Sequence, residues 1–445
     1  MSVIVRFAPS PTGRIHIGNV RAALVNYLFA RREGGQFMLR LDDTDLERST
    51  QEFADGIVED LEWLGMTADF SAKQSDRFDE YAKAVEKLKS DGLLYPCYET
   101  PEELDMKRKR QRLRNLPPVY DRSALDLTEE EIAAYEAEGR KPHWRFKLSG
   151  KVIKWDDLIR SESSVDTSSI SDPILIRGDG TYLYTLPSVV DDLDFKITHV
   201  IRGEDHVTNS GAQIEIYEAL GGPVPLMGHF PFLVGSDGKG LSKRLGSLSI
   251  RQMREEGFEP MAIASVLAKI GTSDPVEPRH HLDELVEECL LSKISRSPAK
   301  FDEKELRAMN AKLLHTMPFE EIQARLARRG YEVSELLWDT VHENIDLIGQ
   351  IDEWLAVVNG PVTPDIEDAD FIAKALDLLP EGEITGETWG VWTGAIKEAT
   401  GAKGKSLFMP LRKAITGMNH GPSMENLIVL IGETKLRRRL SGETA

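Results

Sequence analysis

The chain has 445 residues and a formal charge of −19 at pH 7, from 55 basic and 74 acidic side chains. This length predicts about three domains, and the acidic balance argues against a protein that coats nucleic acid indiscriminately. The two cysteines, Cys97 and Cys289, are too few and too far apart for a disulfide framework, so we expect a reducing compartment. No secretory signal and no stretch long enough to span a bilayer are visible, so a cytoplasmic protein without membrane contact is expected.

The first element of the chain is predicted to be a strand over Val3–Phe7, which is rich in β-branched and aromatic residues. A loop containing proline and glycine follows, and a helix with apolar residues at helical spacing should begin near Gly18. Such a strand–loop–helix unit presents backbone N–H groups and the positive end of a helix to phosphate oxygens. His16 can donate to a phosphate there, and Gly18 lets a base or ribose approach the backbone.

A second motif, Gly240–Arg244, places a lysine on a glycine-flanked loop. Each motif is weak by itself: an isolated His-x-Gly-Asn marks a nucleotide site about one time in ten, and a lone Ser-Lys-Arg is most often a solvated loop. The two motifs in this order, with the first at the end of the opening strand, favour ATP chemistry.

These motifs resemble the HIGH and KMSKS signatures of class I aminoacyl-tRNA synthetases, and the surrounding sequence resembles the glutamyl-tRNA synthetase family. The segments that carry the resemblance are 6–13, 40–45, 189–192, 200–205, 403–405 and 410–417. They span nearly the whole chain. The resemblance implies an α/β Rossmann-like catalytic domain with an α+β insertion, followed by an all-α C-terminal anticodon-binding half.

The element pattern along the chain fits this organisation. The expected segments are 1–94 (catalytic domain, first half), 95–186 (acceptor-end-binding insertion), 187–250 (catalytic domain, second half, with the KMSKS-type loop), 251–312 (helical stem-contact domain) and 313–445 (helical anticodon-binding domain). Strands at Ile197–Ile201 and Phe232–Val234 should rejoin the first sheet. In the helical half, core packing is expected for Trp338, Trp354, Trp389 and Trp392.

A pocket for a free acidic amino acid should offer guanidinium groups for two carboxylates and one acid for the ammonium. Arg6 and Arg202 lie at or near predicted strand ends, where open α/β sheets bind their ligands. By resemblance both contact L-glutamate, with Arg202 facing the side-chain carboxylate, and Asp42 holds the α-ammonium. The other glutamate contacts implied by the resemblance are Ala8 (through its backbone), Ser10, Tyr184 and Ser188.

The resemblance also implies the remaining site residues. The implied catalytic residues are His16, Gly18, Ser242 and Lys243; the ATP contacts are His16, Gly18, Asn19, Lys243 and Arg244; the tRNA contacts are Lys405, Arg412, Arg437 and Arg438. In the implied reaction a glutamate carboxylate attacks the α-phosphate of ATP, Mg²⁺ screens the triphosphate, and the terminal ribose of tRNA(Glu) then attacks the adenylate. Catalysis needs no protein nucleophile and comes from positioning and positive charge.

The chain departs from the family pattern at four positions. Asp42 stands where glutamate is usual, Ser188 where asparagine is common, and His206 where tryptophan can occur. Gly240 occupies the slot of the first KMSKS lysine, with Lys239 just ahead of it. All four departures touch details of the pocket.

Three places have ligand-type residues for a metal. The carboxylates of Asp42–Asp45 could bind a divalent ion, but no other matching ligand is visible in the sequence. Some family members carry a zinc site that begins with Cys-x-Cys, but Tyr95–Glu99 contains one cysteine, so we predict no zinc. His280 and His281 are followed by acidic residues, yet a solvated turn is favoured there by about four to one.

Four other kinds of protein share parts of this pattern. A glutaminyl-tRNA synthetase typically has a β-barrel C-terminal half, and a shortened relative that modifies a tRNA base lacks the anticodon half. A catalytically silent tRNA-binding relative is disfavoured by the intact motifs, and a small nucleotidyltransferase would not need the helical half. Segment 344–358 contains no arginine that would read the third anticodon base, which hints that tRNA(Gln) is also accepted. We expect a monomer.

Overall fold

The computed structural model describes residues 2–241 and 249–445. The predicted site residues Ser242, Lys243 and Arg244 lie outside the described residues. The chain divides into two compact units, Met1–Met253 with Ala264–Asp302, and Arg254–Ile263 with Glu303–Ala445. In the described part of the chain, every helix is too short or too polar to cross a lipid bilayer.

The first unit begins with a parallel sheet of β1 (Ile4–Phe7), β2 (Gln36–Leu41) and β3 (Phe70–Lys73), in that order. Helices α1 (Ile17–Arg32) and α2 (Gln51–Trp63) connect the three strands. The expected alternation of strands and helices is confirmed here. Because the strands are parallel, the loops after β1 and β2 leave from the same edge of the sheet.

Mixed helices and antiparallel strands follow. They are α3 (Phe78–Ser90), β4 (Leu94–Cys97), α4 (Pro101–Leu113), α5 (Glu129–Ala137), β5 (His143–Phe146), β6 (Val152–Asp157), β7 (Ser161–Asp166) and β8 (Ile174–Ile176). Strands β4, β5 and β8 form one antiparallel sheet, and β6 and β7 form a hairpin. The elements from β4 to β8 form the α+β insertion of the predicted fold, whereas α3 precedes it, and the predicted bounds of the insertion, 95–186, stay a prediction.

The chain then returns to the nucleotide fold with α6 (Thr185–Asp194), β9 (His199–Gly203), α7 (Val207–Leu220), β10 (Leu226–Phe230) and β11 (Leu233–Gly235). The elements after it are α8 (Ile250–Glu256), α9 (Pro260–Lys269), α10 (Leu282–Glu288) and β12 (Ala299–Phe301), of which the end of α8 and the start of α9 belong to the second unit. Strand β9 pairs in parallel with β10. It also lies beside β1, because the backbone N–H of Thr198 donates to the carbonyl of Ile4 at 2.9 Å.

The expectation that Phe232–Val234 rejoins the first sheet is wrong. Strand β11 pairs in parallel with β12, with Leu233 opposite Ala299. The backbone N–H of Ala299 also donates to the carbonyl of Phe232 at 2.9 Å. These backbone groups are therefore satisfied by a short strand much later in the chain, not by β1.

One buried cluster joins several segments of this unit. It includes Met38 of β2, Tyr81 of α3, Phe146 of β5, Val189 of α6 and Ile216 of α7. Because the insertion shares this core with both halves of the nucleotide fold, these segments hold one another in place.

The second unit is helical, as the sequence predicted. Its helices are α11 (Glu303–His315), α12 (Phe319–Arg328), α13 (Glu335–Val341), α14 (Ile351–Asn359), α15 (Ala369–Asp377), α16 (Thr388–Thr400), α17 (Lys405–Thr416), α18 (Met424–Ile431) and α19 (Glu433–Leu440). The core role expected for the four tryptophans is confirmed, since all are buried. Two of them also satisfy their indole N–H groups: Trp338 donates to Met317 and Trp392 to Ala375, both at 2.8 Å.

Candidate active site

A cleft of about 850 Å³ opens where the loops after β1, β2 and β9 converge. Most of the predicted glutamate and ATP residues line it together: Arg6, Ala8, Ser10, His16, Gly18, Asn19, Asp42, Tyr184 and Arg202. Gly240 and Leu241, which precede the undescribed segment, line the same cleft. The structure thus collects residues that are far apart in sequence around one cavity.

His16 caps the first helix at the edge of this cleft. Its Nδ1 accepts a hydrogen bond from the backbone N–H of Gly18 at 3.1 Å, and its own backbone N–H donates to the side chain of Asn19 at 3.3 Å. Burial lowers the pKa of His16 below its usual value. The neutral ring therefore carries its proton on Nε2, which remains a hydrogen-bond donor for a ligand.

The position of the His16 ring favours glycine at position 18. A Cβ atom at position 18 would lie 3.0 Å from Cε1 and 3.1 Å from Nδ1 of His16. The imidazole would have to move to accommodate any side chain. Glycine at this position thus keeps the histidine in its capping geometry, in addition to the open approach to the backbone that the sequence suggested.

The residues on both sides of segment 242–248 lie near the His16 loop. Leu241 lines the cleft, and Ser249 forms an isolated antiparallel bridge with His16. The backbone N–H of Ile250 donates to the carbonyl of Ile15 at 3.1 Å. The described residues that flank segment 242–248 therefore lie at the cleft and at the loop that carries the first motif.

Charged residues form a buried network below the cleft, which we call the floor cluster: Arg6, Arg40, Asp42, Asp191 and Asp192. Arg40 donates two hydrogen bonds to the carboxylate of Asp42, from Nε at 2.7 Å and from Nη2 at 3.2 Å. Its Nη1 donates to Asp192 at 2.8 Å. Burial raises the pKa of Asp42 to about 6, although Arg40 opposes this shift.

Arg6 joins the floor cluster through one nitrogen. Its Nε donates to the carboxylate of Asp192 at 3.2 and 3.4 Å, and Asp192 also accepts from the hydroxyl of Tyr217 at 2.8 Å. Among the described residues, no hydrogen bond involves the two terminal nitrogens of Arg6. These nitrogens are available to a ligand in the cleft that Arg6 lines.

Ser188, a predicted glutamate contact, lies next to the floor cluster and does not line the cleft. It is 0 % exposed. Its hydroxyl accepts from Nη2 of Arg40 at 3.3 Å and its carbonyl from Nη1 at 3.4 Å. The structure therefore brings Ser188 to Arg40 and not to the cavity.

Arg202 also lines the cleft and is 7 % exposed. Nη1 donates to the hydroxyl of Tyr184 at 3.0 Å, and Nε donates to Nε2 of His229 at 3.3 Å. Nη2 donates to Ser210 and to Gln213, both at 2.7 Å. We call Tyr184, Ser210, Gln213 and His229 the Arg202 shell. One N–H of Nη1 and the hydroxyl proton of Tyr184 remain for an anion in the cleft.

His206, one of the departures from the family pattern, also lines the cleft. Its ring centroid lies 5.5 Å from that of Tyr184. Burial, with a contribution from Arg202, lowers the pKa of His206 to about 4. A neutral imidazole therefore stands beside the tyrosine at neutral pH.

Four residues around the cleft were not predicted as site residues from the sequence. Three of them, Ser210, Gln213 and His229, belong to no local sequence motif. Arg40 had a recognisable signal, because an arginine within the apolar run of β2 must find a buried partner. The buried partner of Arg40 is Asp42, which follows β2 directly and was predicted as a glutamate contact.

The predicted tRNA contacts lie in the helical unit. Lys405 is exposed at the start of α17. Arg412 donates to the carbonyl of Pro422 at 2.7 Å, and Arg437 donates to the carbonyl of Pro380 at 2.8 Å. Arg438 is exposed and pairs with a carboxylate, that of Glu443, at 2.9 Å. Arg438 also donates to the backbone carbonyl of Thr444 at 3.3 Å, so three of the four already hold backbone carbonyls of their own unit.

The insertion contains a cluster of metal-type ligand atoms from Cys97, Glu99 and His143, all within 4.8 Å of one another. Nε2 of His143 and one oxygen of Glu99 have no hydrogen-bond partner among the described residues. The other oxygen of Glu99 accepts from Lys107 at 3.0 Å and from Tyr120 at 2.8 Å. Three ligands beside an ammonium do not fit a four-ligand structural zinc. The absence of zinc stays a prediction, which metal analysis of chelator-washed protein tests.

Both cysteines are poor nucleophiles in this fold. Burial raises the pKa of the Cys97 thiol to about 11, and it does the same for Cys289. Since the thiolate is the reactive form, neither thiol is activated near neutral pH.

Comparison with protein families identifies the class. Residues 2–308 match the family described as tRNA synthetases class I (E and Q), catalytic domain, and residues 356–442 match the anticodon binding domain family. The chain belongs to the class I tRNA synthetases of this E and Q family. The resemblance stated from the sequence is thereby confirmed, as is the prediction of an aminoacyl-tRNA synthetase.

Individual relatives narrow the comparison. The chain is 59% identical to glutamate--tRNA ligase 1 of Maricaulis maris, over 99% of both chains. It is 56% identical to glutamate--tRNA ligase 2 of Methylorubrum populi, over 100% of this chain and 99% of the relative. Among solved structures, a glutamate tRNA ligase from Elizabethkingia meningosepticum superposes with a TM-score of 0.86 at 29% identity, covering 99% of this chain and 98% of the other.

Proposed function

We propose that the protein is a glutamate--tRNA ligase that activates L-glutamate with ATP and transfers it to the 3′-terminal ribose of tRNA(Glu). The observation that carries this proposal is Arg202, a buried arginine at the wall of the cleft. No carboxylate of the described chain pairs with it. A buried guanidinium without an acidic partner is costly unless an anion binds it, and the side-chain carboxylate of glutamate supplies that anion.

The two walls of the cleft would hold the two ends of the amino acid. Arg202 and the hydroxyl of Tyr184 face the side-chain carboxylate, and Asp42 attracts the α-ammonium. The carboxylate of Asp42 accepts a hydrogen bond from Nε of Arg40 at 2.7 Å, so its orientation is fixed before the substrate binds. The free terminal nitrogens of Arg6, with Ala8 and Ser10, complete the glutamate site.

ATP would lie along the His16 loop. The Nε2–H of His16 donates to the phosphates, and Gly18 and Asn19 lie in the first turn of α1. Lys243 and Arg244 contribute positive charge from the second motif. Catalysis by this arrangement is electrostatic, because negative charge develops on the phosphates as pyrophosphate leaves. Mg²⁺ would be carried by the triphosphate and screens its charge.

The helical unit would bind the anticodon half of the tRNA. Lys405 and Arg438 are exposed cations, and Arg412 and Arg437 fix nearby backbone. The missing arginine in segment 344–358 supports acceptance of tRNA(Gln) as well as tRNA(Glu). We further propose the five-segment division given above, a monomer, and a cytoplasmic location.

The decisive experiment is exchange of labelled pyrophosphate into ATP, with and without tRNA(Glu). We expect glutamate to support exchange at least a hundredfold better than glutamine or aspartate. Charging assays with purified tRNA(Glu) and tRNA(Gln) then define the tRNA range. Absence of glutamate-dependent exchange in the presence of tRNA would contradict the proposal.

The ATP role of the second motif has its own test. Lys243→Met should reduce adenylate formation by about a hundredfold or more, with little change in glutamate affinity. Lys87→Met removes an exposed lysine from α3 and is the matched control, expected to keep normal turnover. Unchanged turnover in Lys243→Met would refute the role of Lys243.

A further inference from the structure

Arg202 is held by neutral acceptors alone. Its partners are a hydroxyl of Tyr184, a hydroxyl of Ser210, the amide oxygen of Gln213 and a ring nitrogen of His229. Such partners fix the direction of the guanidinium but leave its positive charge uncompensated. The floor cluster differs, since Arg40 donates to two carboxylates.

The protonation state of His229 is dictated by its neighbours. Nδ1 lies 2.5 Å from a carboxylate oxygen of Asp157, which can only accept, so Nδ1 carries the proton. Nε2 lies 3.3 Å from Nε of Arg202, which can only donate, so Nε2 is unprotonated. Oγ of Ser210 lies 2.9 Å from the same Nε2 and donates its hydroxyl proton to it in this tautomer. Burial, together with Arg202, also lowers the pKa of His229. The ring is therefore neutral and is the Nδ1–H tautomer.

Asp157 is itself rigidly held at the end of β6 in the insertion. One of its oxygens accepts from the backbone N–H groups of Ile159, Arg160 and His229 at 3.0, 2.9 and 3.1 Å. The other accepts from the indole of Trp155 at 3.2 Å, besides its bond to His229. A carboxylate with both oxygens committed cannot rotate, so the orientation of the His229 ring follows from it.

We propose that Asp157, acting through the tautomer of His229, is a positioning residue for Arg202, and that the neutral Arg202 shell makes the pocket select a carboxylate over a carboxamide. This inference rests on the proposed role of Arg202 as the anchor of the glutamate side chain. The insertion thereby takes part in amino-acid selection, although the amino-acid pocket lies on the nucleotide fold.

Asp157→Asn tests the positioning role. The three backbone donors require the amide oxygen, so the new NH₂ group faces Nδ1 of His229 and drives the ring proton to Nε2, against Nε–H of Arg202. We expect the KM for glutamate to rise at least tenfold in tRNA-dependent pyrophosphate exchange, while the KM for ATP stays within twofold. Nitrogen-15 shifts of selectively labelled histidine should report the change of tautomer. Asp156→Asn, an exposed carboxylate on the same strand, is the matched control and should leave all these values unchanged.

Gln213→Glu tests the neutral shell. The new carboxylate would compensate Arg202 at Nη2 and breaks no existing hydrogen bond, because Nε2 of Gln213 has no partner among the described residues. We expect the ratio of kcat/KM for glutamate over glutamine to fall at least a hundredfold. Gln213→Met keeps the shell neutral and should retain the preference for glutamate.

The outcomes separate the inference from the proposed function. Failure of the wild-type chain to exchange with glutamate would contradict the function itself. An active wild type whose preference survives Gln213→Glu within threefold would overturn the inference, as would an altered His229 tautomer with an unchanged KM. If Asp157→Asn does not fold, as judged by its melting temperature, the comparison of Gln213→Glu with Gln213→Met tests the inference by itself.

Discussion

The floor cluster and the Arg202 shell bury the same side chain, arginine, in opposite ways. In the floor cluster Arg40 is held by the carboxylates of Asp42 and Asp192, with Nε 2.7 Å and Nη1 2.8 Å from them. Arg202, by contrast, meets hydroxyl, amide and imidazole acceptors only. The charge of Arg40 is therefore neutralised by carboxylates of the protein itself, whereas the charge of Arg202 remains available to an anionic ligand.

The largest effect should come from Arg202. Replacing it with glutamine removes the anchor for the substrate carboxylate, so glutamate activation should fall about a thousandfold, equivalent to about 4 kcal/mol. The melting temperature should stay equal or rise, because a buried charge without an acidic partner disappears. Pyrophosphate exchange and thermal unfolding measure the two quantities. Loss of stability in this variant would contradict the contrast between the two regions.

Arg40→Met should show the reverse pattern, with stability as the main loss. It leaves two carboxylates buried without their common partner, which costs about 3–5 kcal/mol of unfolding free energy. Denaturant unfolding monitored by tryptophan fluorescence gives this value. A variant as stable as wild type would show that the floor cluster does not depend on its central arginine.

A pH dependence should follow from Asp42, whose pKa burial raises from 3.8 to about 6. Below this pH the carboxyl is neutral and no longer attracts the α-ammonium, so the KM for glutamate should rise about tenfold from pH 7 to pH 5. The raised pKa also means that this group stabilises the fold below about pH 4 and that this contribution is lost as the pH rises through about 6. Asp42→Asn should flatten the KM profile. A wild-type KM that is constant over this range would exclude Asp42 as the ammonium partner.

The smallest effect is expected from Ser188. Its hydroxyl meets Arg40 at 3.3 Å and does not line the cleft. Ser188→Ala should therefore cost about 1 kcal/mol of stability and leave the KM for glutamate within twofold. A much larger change in KM than in stability would show that Ser188 contacts glutamate and does not act only through Arg40.

The sequence predicted most reliably where function and local structure depend on the same few residues. The strand, loop and helix around His16 follow from apolar spacing and from a glycine placed two residues after a capping side chain. The helical half was equally readable, because apolar and tryptophan positions recur at helical spacing over long stretches.

Non-local pairing could not be read in the same way. The partner of β11 lies beyond residue 298, and nothing in Phe232–Val234 distinguishes it from a neighbour of β1. Asp157 and His229 come from a hairpin and a parallel strand that no motif connects. Each is an ordinary residue in sequence and acquires its role from the other side chain that the fold brings to it.

Basic residues in the helical half show a related limit. A sequence identifies Arg412 and Arg437 as cations, but it does not reveal that they donate to the carbonyls of Pro422 and Pro380. Arg439, in the same run as Arg437 and Arg438, is fully buried and donates to the carbonyls of Ile415 and Ala445. Charge alone therefore does not separate side chains that hold the fold from those that meet a nucleic acid.

The two unreactive thiols have a practical consequence for observing this molecule at work. Since burial raises the pKa of both Cys97 and Cys289 to about 11, maleimide dyes should react with them slowly at neutral pH. A single cysteine introduced at exposed Lys239, beside the cleft, would then take the fluorophore selectively. Labelling could report nucleotide arrival in real time without first removing the native cysteines.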